Sequence, residues 1–393
     1  MYLCHMNEAN SVYSDVFDTQ EKKLGLLGGG QLGRMMIQEA ISYNIDVHVL
    51  DGDSNAPCKT IATSFREGSI TDYATVLDFG RDKDVLTVEI ENVNIEALEE
   101  LERMGKKVFP QPRVLRIIKD KGLQKQFYLD HQLPTAPFLL VNNLNEIHAN
   151  QDFLPAANKV RTGGYDGKGV VLLRSETDIS NGFDAPGILE KFVPFSKELS
   201  VIVVRNESNE TVAYPVVECE FNPKLNLVEF LFAPAAISPE TESRAKAIAI
   251  DVINKLDMIG ILAVEFFLLE SGELLINEIA PRPHNSGHHT IECNYTSQFE
   301  QHFRAVLNLP LGAPGIVLPG VMINLLGEDG YHGGAKYLGM TEAMKQEGVY
   351  VHLYGKKQTK PFRKMGHITV ALPDIERAKK IARKLLQTVK VIS

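Results

Sequence analysis

The stretch Arg161-Thr162-Gly163-Gly164-Tyr165-Asp166-Gly167-Lys168-Gly169 decides how the rest of the chain is interpreted, because four of its nine residues are glycines. Glycine lets the backbone adopt positive φ angles and approach a ligand closely. Successive backbone N–H groups in such a loop form a nest for an anion, and the flanking Lys159 and Lys168 supply point charges suited to phosphate. The apolar run Val170–Leu173 follows directly. The stretch is therefore predicted to be a hairpin loop that closes over a polyphosphate.

The overall composition limits what the chain does. Its 393 residues, of which 44% are hydrophobic and 23% charged, predict a soluble protein of two or three domains. A formal net charge of -9 argues against general nucleic-acid binding, which needs a basic surface. The apolar runs are all shorter than the roughly 18 residues that a membrane span requires. Four cysteines without C-x-x-C spacing indicate reduced thiols in the cytoplasm.

A second glycine motif, Gly28-x-Gly30-x-x-Gly33, follows one predicted strand and opens a predicted helix. Asp51 ends the next predicted strand, at about the 20-residue distance that a dinucleotide-binding unit requires of its acidic residue. This pattern fits a NAD-dependent oxidoreductase. It also fits a monophosphate, since the free N–H groups and the dipole at any helix N-terminus attract phosphate. The motif by itself leaves both alternatives open.

Two carboxylates are placed for a metal ion. Glu265 and Glu278 lie in two predicted strands that the turn signal Ser271-Gly272 joins. A buried carboxylate without a partner costs several kcal/mol, whereas magnesium prefers oxygen ligands from one or two carboxylates together with substrate phosphates. We therefore expect Glu265 and Glu278 to bind Mg²⁺, with Mn²⁺ as an alternative ion, and Asn277 to assist them.

Longer strings of sequence carry a family resemblance. The nine-residue loop is close to the lid-loop signature of the ATP-grasp superfamily, and INEIAPRPHNSGH at 276–288 is equally specific. GGGQLGRM at 28–35 and RKMGH at 363–367 add support at the two ends. From about Lys23 to the C-terminus the chain resembles the ATP-dependent carboxylating enzymes of purine biosynthesis, the 5-(carboxyamino)imidazole ribonucleotide synthases. The resemblance implies an α/β (α+β) architecture, namely an ATP-grasp fold with a Rossmann-like N-terminal domain and a small C-terminal domain.

The resemblance and the composition together predict four segments. Residues 1–22 have neither the basic nor the apolar region of a signal peptide, so we expect a flexible N-terminal arm there. Residues 23–118 are expected to form the Rossmann-like domain and residues 119–312 the ATP-grasp domain, with a lid subdomain over about 119–190. Residues 313–393 then form the C-terminal domain.

Matched residue by residue, the resemblance places the nucleotide in the ATP-grasp region. Lys121 and Lys159 are expected on its phosphates, Glu190 on the exocyclic amine of the adenine, and Glu198 on the ribose. Phe221 stands where the family commonly has a histidine, so a nucleotide contact there is lost or replaced by stacking. The implied ATP-binding residues are Lys121, Lys159, Gly164, Tyr165, Asp166, Gly167, Lys168, Gly169, Glu190, Lys191, Phe192, Val193, Glu198, Asn277 and Glu278.

The other expected site residues surround the ribonucleotide and bicarbonate. The resemblance makes the glycine motif a phosphate site for the ribonucleotide, and makes Glu89 and Glu91, which share one face of a predicted strand end, the holders of its amine. Arg282 has a planar fork that fits bicarbonate or carboxyphosphate bidentately. The expected substrate-binding residues are Gly30, Gln31, Leu32, Glu89, Glu91, Tyr165, Arg363 and Lys364, and the expected catalytic residues are Arg282, His284, Asn285 and Lys364.

The implied reaction is an ATP-dependent carboxylation. ATP phosphorylates bicarbonate to carboxyphosphate, and the amine of 5-aminoimidazole ribonucleotide captures that intermediate, or the carbon dioxide released from it, in de novo purine (IMP) biosynthesis. The resemblance also implies a cytoplasmic homodimer whose partners are these small molecules, with no nucleic acid and no membrane. The rivals are another ATP-grasp carboxylate-amine ligase, a NAD-dependent oxidoreductase and a non-catalytic nucleotide-binding regulator.

Overall fold

The computed structural model describes residues 22–164, 169–222 and 227–393. Four residues of the glycine loop that were predicted to bind ATP, Tyr165, Asp166, Gly167 and Lys168, lie outside the described residues, as does the expected arm up to residue 21. No helix in the described ranges is long and apolar enough to cross a membrane.

The chain first forms a sheet of five parallel strands in the order β3-β2-β1-β4-β5. Neighbours β1 and β4 are separated in sequence by β2 and β3, so the sheet grows in opposite directions on either side of β1. Ligand crevices form outside the carboxyl ends of strands at such a switch point. The strands are β1 (Lys23–Leu27), β2 (Asp46–Asp51), β3 (Ser64–Glu67), β4 (Val85–Val88) and β5 (Lys107–Val108), and the helices are α1 (Gln31–Ser42), α2 (Tyr73–Gly80), α3 (Ile95–Arg103) and α4 (Pro112–Lys119).

A smaller antiparallel sheet follows, in the order β6-β9-β7-β8. The predicted hairpin around the nine-residue glycine loop is confirmed, because Lys159 of β7 pairs with Val170 of β8. Its elements are α5 (Lys121–Asp130), β6 (Phe138–Val141), α6 (Leu144–Ala149), β7 (Ala156–Val160), β8 (Val170–Leu173) and β9 (Gly187–Lys191).

The largest sheet is antiparallel and runs β15-β14-β10-β12-β13-β16-β21-β19, with β11 paired to β10. Helix α7 packs its buried residues against the face of this sheet that carries the largest hydrophobic cluster. The elements of the middle region are β10 (Phe195–Arg205), β11 (Thr211–Ala213), β12 (Val217–Asn222), β13 (Leu227–Ala233), α7 (Pro239–Lys255), β14 (Gly260–Leu269), β15 (Leu274–Ala280), α8 (Thr290–Cys293) and α9 (Gln298–Val306).

The C-terminal region extends the same sheet, because Phe230 of β13 pairs with Ile323 of β16. The chain before and after the connector at 307–319 therefore shares one continuous set of backbone hydrogen bonds. Its elements are β16 (Gly320–Leu326), β17 (Gly333–Gly334), β18 (Lys336–Leu338), α10 (Met340–Met344), β19 (Val349–Leu353), β20 (Gln358–Thr359), β21 (Lys364–Ala371), α11 (Ile375–Thr388) and β22 (Lys390–Ile392).

Candidate active site

A β-bulge between β14 and β15 forms the centre of the site. Val264 pairs with Ile279 and Phe266 pairs with Ile276, so Asn277 and Glu278 together lie opposite the single residue Glu265. An extra residue of this kind interrupts the alternation of side chains along a strand. Both Asn277 and Glu278 consequently contact lysines on one side of the sheet, where regular alternation would separate them.

Two lysines from different elements meet this bulge. Lys121, the first residue of α5, places Nζ 2.6 Å from Oε2 of Glu278. Lys159 of β7 donates to Oδ1 of Asn277 at 3.2 Å and to Oε1 of Glu190 at 2.8 Å. The small sheet, helix α5 and the large sheet therefore converge on one polar centre, which we call the carboxylate cluster: Glu198, Glu265, Asn277 and Glu278.

Helix α5 holds a residue that the sequence analysis missed. Apolar spacing predicts Leu123, Phe127 and Leu129 as its inward face. Phe127 is buried as predicted, but Leu123 is 40% and Leu129 54% exposed. The buried face also carries Lys125, which forms an ion pair with Glu190. Burial lowers the pKa of Lys125 to about 8. The sequence did contain a signal for Lys125. Lys121, which was predicted to bind the nucleotide, lies four residues earlier, and positions i and i+4 share a helix face.

The carboxylates of the cluster differ sharply in pKa. Lys121 lowers the pKa of Glu278 to about 2, against the opposing effect of burial. Burial, followed by the charges of Glu278 and Glu198, raises the pKa of Glu265 to about 8. Burial likewise raises the pKa of Glu198 to about 7. The lysines therefore compensate Glu278 but not Glu265 and Glu198, and a divalent cation beside these oxygens would supply the remaining positive charge.

Glu190, which was expected on the exocyclic amine of the adenine, contacts two lysines in this structure. Its buried carboxylate lies between Lys125 and Lys159. Burial acts to raise the pKa of Glu190, but Lys159 and Lys125 outweigh it and lower the pKa overall. Glu190 therefore positions the two lysines in this structure.

Lys191, Phe192 and Val193, which follow Glu190, are among the residues expected to bind ATP. The Lys191 N–H donates to Pro137 O at 2.8 Å and the Phe192 N–H to Pro155 O at 2.9 Å. Among the described residues the Val193 N–H has no hydrogen-bond partner. Val193 is therefore the backbone donor of this segment that a nucleobase can use.

The predicted anion-binding residues lie beside the cluster. Arg282 lies two residues after the end of β15, and its Nε is 2.8 Å from Oε1 of Glu91 in the N-terminal region. Nε2 of His284 is 3.7 Å from Oε1 of Glu265. Neither the oxygen nor the nitrogen of the buried Asn285 amide has a partner among the described residues. Unpaired buried amides are uncommon in folded proteins, so this one is suited to receive a ligand.

The glycine motif after β1 differs from the prediction. Its amides were expected to be free for phosphate, but Glu89 accepts from the N–H groups of Gly30 at 2.6 Å and Gly33 at 2.7 Å. Asp51, expected only to end a strand, accepts from Gly29 at 2.6 Å. β4 ends at Val88, so strand alternation does not apply to Glu89 and Glu91. The first binds the glycine motif and the second binds Arg282.

A basic surface of the C-terminal region, formed by Lys357, Arg363 and Lys364, faces the glycine motif. Lys357 Nζ donates to Asn55 Oδ1 at 3.0 Å, and Gly355 lies against the guanidinium of Arg34. Arg34, which the sequence analysis did not single out, donates from Nη1 to Pro57 O at 2.9 Å. The adjacent residues Arg363 and Lys364, both predicted to bind the ribonucleotide, have different surroundings. Arg363 donates to Gln358 O, whereas the charge of Lys364 lies near enough to Glu265 to oppose part of the rise in the pKa of Glu265.

Comparison with known proteins places all three regions in described families. Residues 21–119 match the ribonucleotide synthetase preATP-grasp domain, residues 126–299 the ATP-grasp domain, and residues 320–381 the phosphoribosylaminoimidazole carboxylase C-terminal domain. The chain is 37% identical to the N5-carboxyaminoimidazole ribonucleotide synthase of Bacillus subtilis over 92% of its own length and 94% of that protein's. The chain belongs to this family.

Other relatives of these synthases are longer. The chain is 41% identical to the chloroplastic phosphoribosylaminoimidazole carboxylase of Vigna aconitifolia, but spans only 64% of its length. Among solved structures, the N5-carboxyaminoimidazole ribonucleotide synthetase of Thermotoga maritima is 41% identical with a TM-score of 0.88, covering 95% of this chain and 99% of that one. The Aspergillus clavatus enzyme, solved with ADP and 5-aminoimidazole ribonucleotide, is 34% identical with a TM-score of 0.84, covering 93% and 98%. The expected ATP-grasp fold is confirmed.

Proposed function

We propose that this protein carboxylates 5-aminoimidazole ribonucleotide with ATP and bicarbonate, releasing ADP and phosphate, in de novo purine (IMP) biosynthesis. The single observation that carries the proposal is the ion pair between Arg282 and Glu91. This ion pair brings the end of β15, which carries Asn277 and Glu278 of the carboxylate cluster, to the switch point of the N-terminal sheet. A nucleotide on one side and a ribonucleotide on the other would then meet at the same guanidinium.

The carboxylate cluster is proposed to hold the metal and the phosphates of ATP. Glu265 and Glu278 are the proposed ligands of Mg²⁺ or Mn²⁺, an ion that would supply positive charge beside the phosphates. Among the described residues, no group of three or more acidic, histidine or cysteine side chains could hold a metal ion. Two carboxylates completed by nucleotide phosphates are what magnesium prefers. Lys121 and Lys159, already at the cluster, then bind the same phosphates.

The remaining ATP-binding residues are proposed in the roles expected from the sequence, except for Glu190. Glu198 is proposed on the ribose and the Val193 N–H on the adenine edge, while Glu190 holds Lys125 and Lys159. The proposed set further includes Gly164, Gly169, Lys191, Phe192 and Asn277, together with Tyr165, Asp166, Gly167 and Lys168 outside the described residues.

Arg282, His284, Asn285 and Lys364 are proposed to act on bicarbonate. An oxygen of bicarbonate attacks the γ-phosphorus of ATP, ADP leaves, and carboxyphosphate forms. The ribonucleotide amine then attacks the carboxyl carbon, or carbon dioxide released from it, as phosphate departs and the nitrogen loses a proton. Arg282 would pair bidentately with the anion. Such catalysis consists mostly of positioning and charge stabilisation.

The ribonucleotide is proposed to bind between the glycine motif and the basic surface. Because Glu89 binds Gly30, the phosphate is assigned to the N–H groups of Gln31 and Leu32, which have no partner among the described residues. Arg363, Lys364 and the newly found Arg34 supply positive charge. Glu91 remains the proposed acceptor for the substrate amine, while Glu89 and Gly30 shape the motif.

Phosphate release from ATP, measured with and without the ribonucleotide and bicarbonate, tests the proposal. Phosphate release that requires both co-substrates supports it. Turnover with a different amine or carboxylate acceptor would instead identify another ATP-grasp ligase, and nucleotide binding without turnover would identify a regulator. A NAD-dependent oxidoreductase is disfavoured because the Asp51 carboxylate is already bound to the Gly29 N–H.

The cytoplasm is proposed as the compartment, since the described cysteines Cys58, Cys219 and Cys293 are free thiols. The homodimer implied by the resemblance belongs to the same proposal. Light scattering of the purified protein measures its mass directly and tests that part.

A further inference from the structure

Gln298, the first residue of α9, holds the backbone of His284 at both of its polar groups. Its Oε1 accepts from the His284 N–H at 2.9 Å, and its Nε2 donates to the His284 carbonyl at 2.8 Å. Gln298 is completely buried. One side-chain amide therefore fixes the peptide groups on either side of His284, although fourteen residues separate the two in sequence.

The amide of Gln298 is itself held in place. The Gln298 backbone N–H donates to Thr290 Oγ1 at 2.8 Å, and Nε2 lies 3.1 Å from Nδ1 of His288. A Cβ added at Gly287 would come within 2.3 Å of the Gln298 oxygen. The loop thus has room for this amide because residue 287 has no side chain.

A second contact fixes the imidazole of His284. Nδ1 accepts from the Ser286 N–H at 3.4 Å and lies 2.9 Å from Ser286 Oγ. A ring nitrogen that accepts from a backbone N–H carries no proton, so the proton of the neutral ring is on the other nitrogen. That nitrogen, Nε2, is the one 3.7 Å from Glu265. The ring therefore presents an N–H to the carboxylate cluster.

We propose that Gln298 is a positioning residue for the carboxylation reaction. By holding both backbone groups of His284, it keeps the Nε2–H of that ring aimed at the place where the bicarbonate-derived anion meets the metal ligands. The inference rests on the proposed function. A displacement of about 1 Å in a reacting group can lower a rate by about 100-fold, so loss of the two hydrogen bonds is expected to act on turnover more than on substrate binding.

The chain contains a matched control on the same helix. Gln301 is also completely buried, and its amide makes the same double contact with a backbone: Nε2 donates to Gly312 O at 2.7 Å and Oε1 accepts from the Gly312 N–H at 2.8 Å. Gly312 lies in the connector after α9. Substitution of Gln301 thus costs the fold a similar pair of hydrogen bonds without changing His284.

The experiment compares Gln298→Met with Gln301→Met in the full chain, measuring melting temperature, kcat and the KM for ATP. Both variants are expected to melt at a similarly lowered temperature. Gln298→Met is expected to lose about 100-fold in kcat with the KM for ATP changed by less than about threefold, whereas Gln301→Met stays within about threefold of the parent kcat. Equal kcat values for the two variants would overturn the inference.

A conservative variant separates a folding defect from a positioning defect. Gln298→Glu keeps an oxygen for the His284 N–H but has no amide N–H for the carbonyl, so its kcat should lie between those of the parent and Gln298→Met. If Gln298→Met does not fold, a parental kcat in Gln298→Glu overturns the inference. An unmodified chain that fails to turn over the ribonucleotide in the same assay would instead refute the proposed function.

Discussion

Lys121 and Glu278 are joined by an ion pair with Nζ 2.6 Å from Oε2, which ties the start of α5 to β15. The pair keeps Glu278 ionised, since Lys121 lowers the pKa of that carboxyl to about 2. Glu265, on the opposite strand of the bulge, has its pKa raised to about 8 by burial and by neighbouring carboxylates. Of the two carboxylates Glu265 and Glu278, Glu278 is therefore the one that is charged at neutral pH.

Glu278→Gln is expected to fold and to lose at least about 100-fold in kcat, because a neutral amide holds magnesium poorly and the ion contributes several kcal/mol to phosphoryl transfer. Phosphate release at saturating ATP measures this. Glu273→Gln, an exposed position on the same hairpin, is the control and should retain parental kcat. Normal activity in a folded Glu278→Gln protein would remove Glu278 from the metal site.

Arg282→Lys should be severely impaired although the charge is kept. An ammonium group cannot reproduce the planar fork that pairs with Glu91 and is proposed to bind the anion. We expect kcat to fall by at least about 100-fold, as when one oriented donor is removed from a charge-stabilising site. Arg113→Lys, which changes an exposed arginine paired with Asp257, is the control. Near-parental carboxylation by Arg282→Lys would contradict the bicarbonate assignment.

Asn285→Leu is expected to separate stability from activity. The Asn285 amide has no partner among the described residues, so an apolar side chain of similar size should raise the free energy of unfolding by about 1 kcal/mol. Turnover should nevertheless fall steeply, because the amide is proposed to bind the anion. Urea unfolding and kcat are measured on the same preparation. A marked loss of stability would show that the amide has a structural partner.

Glu89→Gln tests the role that the structure gives to Glu89. An amide cannot accept from both Gly30 and Gly33 without turning its own N–H₂ toward one of them, so the free energy of unfolding should fall by about 2 kcal/mol. The affinity for the ribonucleotide should fall with it, while ATP affinity stays unchanged in calorimetric titrations. Glu67→Gln, at the exposed end of β3, is the matched control. Unchanged ribonucleotide binding would disconnect the glycine motif from that substrate.

Among the described residues, His302 is one of four buried histidines whose pKa is lowered by burial, so we expect the fold to be sensitive to acid. Burial lowers the pKa of His302 to about 3 from its ordinary 6.5. The unfolded chain therefore takes up the proton first, and the stability that the neutral ring contributes is present above about pH 6.5 and lost as the pH falls toward 3. The slope for one such group is about 1.4 kcal/mol per pH unit.

His302→Gln should weaken this dependence. The substitution leaves a polar group for Thr87, whose Oγ1 lies 2.8 Å from the ring. Urea unfolding at about pH 7.5 and pH 5.5 should show a loss smaller than the parental one by about 1 kcal/mol. His148→Gln, at an exposed position, should leave the dependence as it is. An equal pH dependence in parent and His302→Gln would show that other groups cause the acid sensitivity.

The parts of the site that sequence predicted are those with a local signal. Glu265 and Glu278 follow from two apolar strands and the Ser271-Gly272 turn, and the β7–β8 hairpin follows from a glycine loop between apolar runs. Each pattern spans only a few residues, so spacing along the chain is enough to reveal it.

The remaining features arise from contacts between distant segments. Glu89 accepts a hydrogen bond from Gly30, which is 59 positions away in the sequence, and the buried Lys125 forms an ion pair with Glu190 of another element. The apolar period of α5 was correct for Phe127 but wrong for Leu123 and Leu129, because the buried face of this helix also includes Lys125. The spacing of residues along the sequence does not indicate which distant groups become neighbours in the fold.

The β-bulge at Glu265 also determines how this chemistry could be transplanted. A designer who copied Glu265, Asn277 and Glu278 onto a regular hairpin would find Asn277 and Glu278 on opposite faces, because adjacent residues of an uninterrupted strand point apart. The extra residue in β15 would have to be copied together with the side chains. The two residues between Ile276 and Ile279 are Asn277 and Glu278. Deleting either one would restore regular strand pairing and leave only the other to face Lys121 and Lys159.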